Sequence, residues 1–291
     1  MEKVLITGGT GLIGKHLQRL LKKEGFKVRI LTRRPKNENE FKWDINEGFI
    51  DEKAFEGLDH IIHLAGAGIA DKRWTAKRKK VIIDSRVESA NLLFEEVKRL
   101  GLQLKTFVSA SGIGYYGAVT SDKTFKEDHD AGKDYLGTVC KLWEIAALQF
   151  ESLEVPTTIF RTGIVLSNDG GALVKMKTPV ITPLGSGEQF MPWIHIEDMC
   201  RLYLAAIKGE LKGIYNAVAP EHHSNKSFSK KLAKSLKRPF VPIGAPEFVL
   251  KTVFGELAII LLTGSKISSK KLKKEGFEFT YETLEKALNN L

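Results

Sequence analysis

The sequence predicts an α/β protein with a doubly wound parallel sheet and a smaller C-terminal α/β lobe. Three observations carry this. Short apolar runs alternate with helix-periodic stretches through the first half, a glycine-rich turn separates the first run from the first helix, and the texture changes after Arg161. Val4-Leu5-Ile6 is the first strand. Residues 13 to 23 carry Ile13, Leu17, Leu20 and Leu21 at helical spacing. Val28 to Leu31 is the second strand, and further strands are expected at His60 to Leu64, Thr106 to Val108 and Thr157 to Phe160. Helical patterns at 81 to 99 and 138 to 151 lie between them, and strands joined by helices of that length imply right-handed crossovers and a parallel sheet. From 162 to 193, Gly163, Gly170, Gly171, Gly185 and Gly187 with Pro179, Pro183 and Pro192 mark long loops. A helix near 196 to 208, a strand near 213 to 218, and helical patterns at 227 to 237, 246 to 262 and 282 to 290 complete the chain. The expected division is 1–165 and 166–291, partly interleaved, with a terminal module at about 240–291.

Composition excludes several classes. At 43% hydrophobic and 27% charged residues, 291 residues can bury a core that disordered chains cannot. Cys140 and Cys200 make no disulfide framework and no zinc pattern, so no metal is expected and a reducing compartment is the default. The longest later apolar stretch, Leu257 to Leu262, falls far short of the roughly 18 residues of a membrane span. The chain therefore reads as soluble and cytoplasmic, with no membrane partner. Its formal charge of +10 suggests an anionic partner, but the lysines are scattered over helical segments and no nucleic-acid motif accompanies them. Nucleic-acid binding through the lysines near 265 to 274 stays a minor rival.

Chemistry enters at Thr7-Gly8-Gly9-Thr10-Gly11-Leu12-Ile13-Gly14, where Gly8, Gly11 and Gly14 stand at G-x-x-G-x-x-G spacing between strand and helix. Without Cβ atoms the backbone turns tightly and approaches a diphosphate, which then faces the free N–H groups and positive end of the helix. About 20 residues on, at the end of the second strand, an acidic residue would bind a ribose 2′-hydroxyl. This chain has Thr32-Arg33-Arg34. Guanidinium groups match a 2′-phosphate instead, which favours NADP(H) over NAD(H).

TGGTGLIG, His63-Leu64-Ala65-Gly66 and the segment Ser109 to Gly117 resemble the extended short-chain dehydrogenase/reductase superfamily. Trp43-Asp44, Asp84-Ser85-Arg86, Lys141-Leu142-Trp143-Glu144, Arg161-Thr162-Gly163 and Pro192 to Asp198 narrow the resemblance to its atypical, sugar-nucleotide epimerase-like branch, often called epimerase family proteins. A small C-terminal module, from Pro246 through Phe254-Gly255-Glu256 to Gly276-Phe277, resembles theirs too. The resemblance implies a Rossmann-type NADP-binding lobe, a substrate lobe, and hydride transfer on a carbonyl or alcohol of a small molecule, a nucleotide sugar being one option. It places Gly8, Thr10, Gly11, Leu12, Ile13 and Gly14 at the diphosphate and Thr32, Arg33 and Arg34 at the adenosine phosphate. Asp44 and Ile45 then meet the adenine edge, with Leu64, Ala65, Gly66 and Arg86 along the crossing cofactor. Arg86 could equally form a surface ion pair with Glu88. Relatives often pair helices, so a homodimer is allowed.

The superfamily's acid/base is a Tyr followed four residues later by a Lys that favours the phenolate and holds the nicotinamide ribose. Lys141 matches the Lys, but Gly137 stands where the Tyr belongs. Tyr135, Tyr115 or Tyr116 could supply a phenol, and Ser111, with Ser109 second, stands where a hydroxyl meets the substrate carbonyl. The expected catalytic set is Ser111, Tyr116 and Lys141. Gly137 equally supports a non-catalytic NADP(H)-binding sensor or scaffold. His195 and Asp198, with Trp193, would line the cleft, although Asp198 also suits the N-terminus of its own helix, and His63 reads as a core histidine.

Overall fold

The first strand is apolar on both faces, as a strand covered from both sides must be. Val4 and Ile6 enter one hydrophobic layer and Leu5 the other. The computed structural model describes all 291 residues. The first part of the chain forms β1 (Lys3–Thr7), α1 (Leu12–Lys23), β2 (Lys27–Thr32), β3 (Glu40–Asp44), β4 (Phe49–Ile50), β5 (His60–His63), α2 (Ala76–Arg99), β6 (Thr106–Gly112), β7 (Thr124–Phe125), α3 (Tyr135–Leu148) and β8 (Thr157–Thr162). There follow β9 (Ile164–Leu166), α4 (Ala172–Met176), β10 (Trp193–His195), α5 (Ile196–Ile207), β11 (Gly213–Ala217) and α6 (Asn225–Ser235). The end of the chain is α7 (Glu247–Phe254), α8 (Ile259–Leu262), β12 (Lys266–Ile267), α9 (Lys270–Lys274) and α10 (Leu284–Asn290).

Eight strands make one sheet in the order β11-β8-β6-β5-β1-β2-β3-β4. Neighbours are parallel except β3 and β4. Leu17 and Leu21 of α1 and Met199, Leu202 and Tyr203 of α5 cover one face. Leu93, Phe94 and Val97 of α2 and Ala147 of α3 cover the other. The sheet is therefore doubly wound, and β1 pairs with β2 on one side and β5 on the other. The connections leave in opposite directions there, which opens a crevice beyond the carboxyl ends of the strands.

Several elements differ from expectation. β3 and β4, with Phe41 and Lys42 between half-buried and exposed positions, lack a recognisable apolar run. The stretch 246–262 breaks at Gly255, whose φ of +61° ends α7. β11, from the second half of the chain, is the edge strand beside β8. No helix is long and apolar enough to cross a membrane.

The terminal segment arches over the carboxyl edge of the sheet and touches loops from three places. Arg73, after β5, donates to the Thr252 carbonyl. Ser265 donates to the Val119 carbonyl after β6, and Gln189, after β9, donates to the Leu261 carbonyl at 2.7 Å. β12 pairs with β7.

Candidate active site

The glycine turn is built by close approach. Gly8 has a φ of +66°, and a Cβ there would stand 2.8 Å from the carbonyl carbon and oxygen of Leu64. A Cβ at Gly14 would fall 2.6 Å from the Gly8 oxygen. Gly11 N–H donates to the Gly8 carbonyl, and Gln18 Nε2 donates to the Gly9 carbonyl at 2.8 Å, which pins the turn. The four other helices of eleven or more residues, α2, α3, α5 and α6, each receive a side-chain cap at their first N–H groups. α1 has none, and no acidic residue stands in its first turn. Its free amides and positive end are thus offered to an external anion. Across the turn, a Cβ at Gly171 would come within 3.1 Å of Leu12, and His16 Nε2 lies 2.9 Å from Asp169 Oδ2, so the loop after β9 flanks the same helix start.

Beyond β2, Thr32 is half-buried while Arg33 and Arg34 are exposed and their guanidinium groups are unpaired. Asp44 is half-buried and accepts from Asn46 N–H. Leu64 and Ala65 N–H both donate to Thr7 Oγ1 at 3.1 Å, so their backbone runs beside the turn. His63 is fully buried, tied to Thr7 Oγ1 at 2.8 Å and Ser89 Oγ at 3.1 Å, and burial holds its pKa down to about 4. It is a neutral core histidine. Arg86 turns inward: it is 8% exposed, donates to the carbonyls of Ala67 and Ile82, and its guanidinium lies 4.8 Å over the Trp143 ring. It makes no pair with Glu88, and it backs onto Gly66, where a Cβ would be 3.1 Å from its Cζ.

Ser111 and Tyr116 join one network through Glu144 and Arg161, and Lys141 lies off it. Ser111, next to last in β6, is buried and donates to Glu144 Oε1 at 2.7 Å. Lys141, by contrast, is exposed and forms no hydrogen bond or ion pair; the side chain on α3 that meets Ser111 and Gly112 is Cys140, one residue earlier. One residue is about 100° of helix, which is enough to carry Lys141 off that face. Burial, then repulsion from Glu144, pushes the Cys140 thiol up to about 12. Four residues before Cys140 stands Leu136, packed on Gly114. The inner face of α3, at Leu136 and Cys140, therefore carries neither a phenol nor an ammonium group.

Gly137 has a separate cause. A Cβ there would lie 2.1 Å from the carbonyl oxygen of Gly132, and a Cβ at Gly132 would lie 2.5 Å from Gly117 Cα. The loop before α3 thus lies against the helix start, anchored by Gly132 N–H on the Tyr115 carbonyl at 2.7 Å. No Tyr fits at 137 in this backbone. Of the three candidate phenols, Tyr116 is buried, donates to Asn216 Oδ1 at 2.6 Å and accepts from Arg161 Nη1 at 3.0 Å. Burial pushes it up to about 12. Tyr135 donates to the Lys79 carbonyl. Tyr115 is half-buried, its ring 3.3 Å from the Arg161 guanidinium carbon, and its hydroxyl has no partner in the protein.

Sequence reasoning named Arg161 and Glu144 only within family motifs and gave them no role; they form a buried bidentate pair, Nε to Oε1 and Nη2 to Oε2, both 2.9 Å. The available signal was a charge inside an apolar strand, since buried charges need partners. From this pair the bonds run through Tyr116 and Asn216 to the Ser268 carbonyl of the terminal segment. His195 and Asp198, expected to line the cleft, are instead buried at the start of α5, and Asp198 takes the alternative place in the first turn of its own helix. His195 Nδ1 caps α5 and its ring stacks on Tyr281 at 3.7 Å, while Asp198 accepts from the N–H groups of Thr280 and Tyr281 and from Arg201. Trp193 is fully buried in the core. All three anchor or pack the second half.

Sheet, switch point and uncapped glycine turn together define a dinucleotide-binding protein of Rossmann type. Comparison with known families agrees, with a profile described as the NAD dependent epimerase/dehydratase family matching residues 4–149 and a domain of unknown function, DUF1731, matching 245–291. The chain belongs to the NAD dependent epimerase/dehydratase family. An epimerase family protein of Staphylococcus aureus is 34% identical over all of this chain and 99% of its own length. The crystal structure of human epimerase family protein SDR39U1 (isoform 2) with NADPH superposes with a TM-score of 0.87 at 30% identity, covering 99% of this chain and 98% of that one. A nucleoside-diphosphate sugar epimerase from Corynebacterium glutamicum gives 0.79 at 27% identity, covering 99% of this chain and 58% of the other.

Proposed function

We propose that the chain is an NADP(H)-dependent, epimerase-like oxidoreductase acting on a carbonyl or alcohol of a small molecule. One observation carries the cofactor half: α1 starts uncapped behind a turn in which Gly8 and Gly14 leave no room for a Cβ, with two unpaired guanidinium groups past the end of β2. Thr10, Leu12 and Ile13 N–H groups would hold the diphosphate, with Gly11, whose own N–H closes the turn on Gly8, shaping the loop beneath it. Thr32, Arg33 and Arg34 would hold the 2′-phosphate. Asp44 and Ile45 would border the adenine, and Leu64, Ala65, Gly66 and Arg86 the rest of the cofactor's path. When bound, the nicotinamide supplies or accepts hydride.

In this reading the chain's own part is to orient the substrate near the end of β6, with Ser111 as its catalytic residue. Tyr116 and Lys141 do not reach it, and Tyr116 serves instead to brace Arg161. The human relative crystallised with NADPH supports the choice of cofactor, and the relative named a nucleoside-diphosphate sugar epimerase supports a nucleotide sugar as one substrate class. Calorimetry with NADPH and NADH tests the reading. The expected result is tight NADPH binding and at least tenfold weaker NADH binding, and absence of both affinities overturns it. A second reading, a cofactor-binding protein without turnover, is favoured by Gly137 in place of the usual Tyr and by the exposed, unpaired Lys141; tight NADPH binding with no turnover on a carbonyl and alcohol panel supports it.

A further inference from the structure

The hydroxyl of Ser111 has a single proton, and that proton is already committed. It is donated to Glu144 Oε1 at 2.7 Å, and both residues are 4% exposed. Glu144 cannot turn away, because Arg161 holds both its oxygens in fork geometry. Ser111 Oγ therefore offers only lone pairs, one of them facing the neutral Cys140 thiol, and it can accept a hydrogen bond but not give one. A carbonyl oxygen finds no donor there; a substrate hydroxyl finds an acceptor.

The charged and titratable groups around this pair come from every element packed on it. They are Cys140 on the same helix, Arg161 on β8, Tyr115 and Tyr116 on the turn after β6, Arg86 on α2, and Glu127 in the loop before α3, whose carbonyl takes Arg161 Nη1. Cys140 is held neutral by burial, and the Tyr116 hydroxyl is held by Asn216 and Arg161. Among these groups, Glu144 is the carboxylate bonded to Ser111.

We infer that Ser111 and Glu144 form the proton-accepting pair of the site, with Ser111 taking the hydroxyl proton of an alcohol substrate as its own proton passes to Glu144. The inference rests on the NADP(H)-dependent reading above. The substrate C–H bond breaks with its electron pair leaving as hydride to an oxidised nicotinamide. The O–H bond breaks as the C=O bond forms, and the alcohol becomes a ketone or aldehyde. The substrate proton joins Ser111 Oγ, and Glu144 ends as a protonated carboxyl group. Ser111 is the catalytic residue of the pair and Glu144 its positioning residue.

The test follows NADP+ reduction with 1-phenylethanol, cyclohexanol and UDP-glucose across pH, together with NADPH affinity by fluorescence titration. Expected is oxidation of at least one alcohol by the wild type, with Ser111→Ala and Glu144→Gln slower by about 10²-fold or more. Glu144→Asp should recover part of the rate that Glu144→Gln loses. NADPH affinity should stay within about threefold for all variants. A protonated-carboxyl infrared band should appear when the wild type is mixed with NADP+ and alcohol and be missing in Glu144→Gln. Should Glu144→Gln misfold, Ser111→Ala, which keeps the Glu144–Arg161 pair, decides alone. Variants within threefold of wild type overturn the inference, as does loss of turnover in Tyr115→Phe with Ser111→Ala unimpaired. NADPH binding without oxidation of any probe overturns it and leaves the cofactor-binding function standing, whereas no NADPH binding removes that function itself.

Discussion

Replacing Gly137 by Ala should destabilise the protein, reversing the usual sign. Gly137 lies in the first turn of α3, and in an exposed helix Ala exceeds Gly by about 1 kcal/mol. Here the added Cβ falls 2.1 Å from the Gly132 oxygen, 2.6 Å from its carbonyl carbon and 2.8 Å from its Cα. Ordinary contact begins at 3.4 Å, so the loop must retreat by about 1.3 Å. Gly132 can yield only by giving up its 2.7 Å bond to the Tyr115 carbonyl or its packing on Gly117. Overpacking of a close-packed site costs about 1–3 kcal/mol and a backbone hydrogen bond about 1 kcal/mol, so after the helix gain a net loss of about 2 kcal/mol remains. Urea unfolding followed by circular dichroism measures it. A Gly137→Ala protein as stable as wild type, or more so, would show that the loop gives way freely and that the glycine interlock is not what excludes a side chain at 137.

Three more outcomes are expected. Arg33→Ala with Arg34→Ala should weaken NADPH binding by about 10- to 100-fold and leave NADH affinity unchanged, since only the 2′-phosphate loses its charged partners; calorimetry with equal losses for both cofactors would refute this. Tyr116→Phe leaves Asn216 Oδ1 and an Arg161 N–H short of a buried partner and should cost about 2 kcal/mol by thermal or urea unfolding, so a neutral effect refutes the brace. His63 has a folded pKa of about 4 against a usual 6.5, so between those values the unfolded chain binds the extra proton. That contribution to stability is full above about pH 6.5, falls as pH drops toward 4, and amounts to about 3 kcal/mol; a His63→Gln protein with the same acid slope as wild type would contradict it.

The sheet and the cofactor turn were legible because their signals are local. A parallel strand buried on both faces must be apolar throughout, and a turn that meets a diphosphate must be glycine-rich, so Val4 to Ile6 and Gly8 to Gly14 declare themselves in sequence. The far side of the site was harder. Matching a Gly-x-x-x-Lys spacing selected Lys141, yet the burial of Leu136, Cys140, Trp143, Glu144 and Ala147 follows helical periodicity and puts Cys140, not Lys141, on the inner face. Periodicity was the better guide. Gly137 looked like a lost phenol, but its neighbour is Gly132, five residues away in a loop whose path no local rule predicts. The bonds from Ser111 to Ser268 join residues up to 157 positions apart, and only the fold assembles them.

That network bears on how the two halves of the chain cooperate. Arg161 and Glu144 could not stay ionised in the interior without each other, since an unpaired buried charge costs several kcal/mol. Arg161 also needs the Tyr116 oxygen and the Glu127 carbonyl, and Tyr116 needs Asn216, which in turn gives its amide to Ser268 and its own N–H to Glu127 Oε1. Removing the terminal segment would therefore withdraw the last acceptor in a chain that ends at Ser111. The terminal module thus belongs to the electrostatics of the site as well as to its roof. Gly132 closes position 137 to any side chain, and near the end of β6 the Ser111 hydroxyl is left bonded to the carboxylate that Arg161 grips at both oxygens.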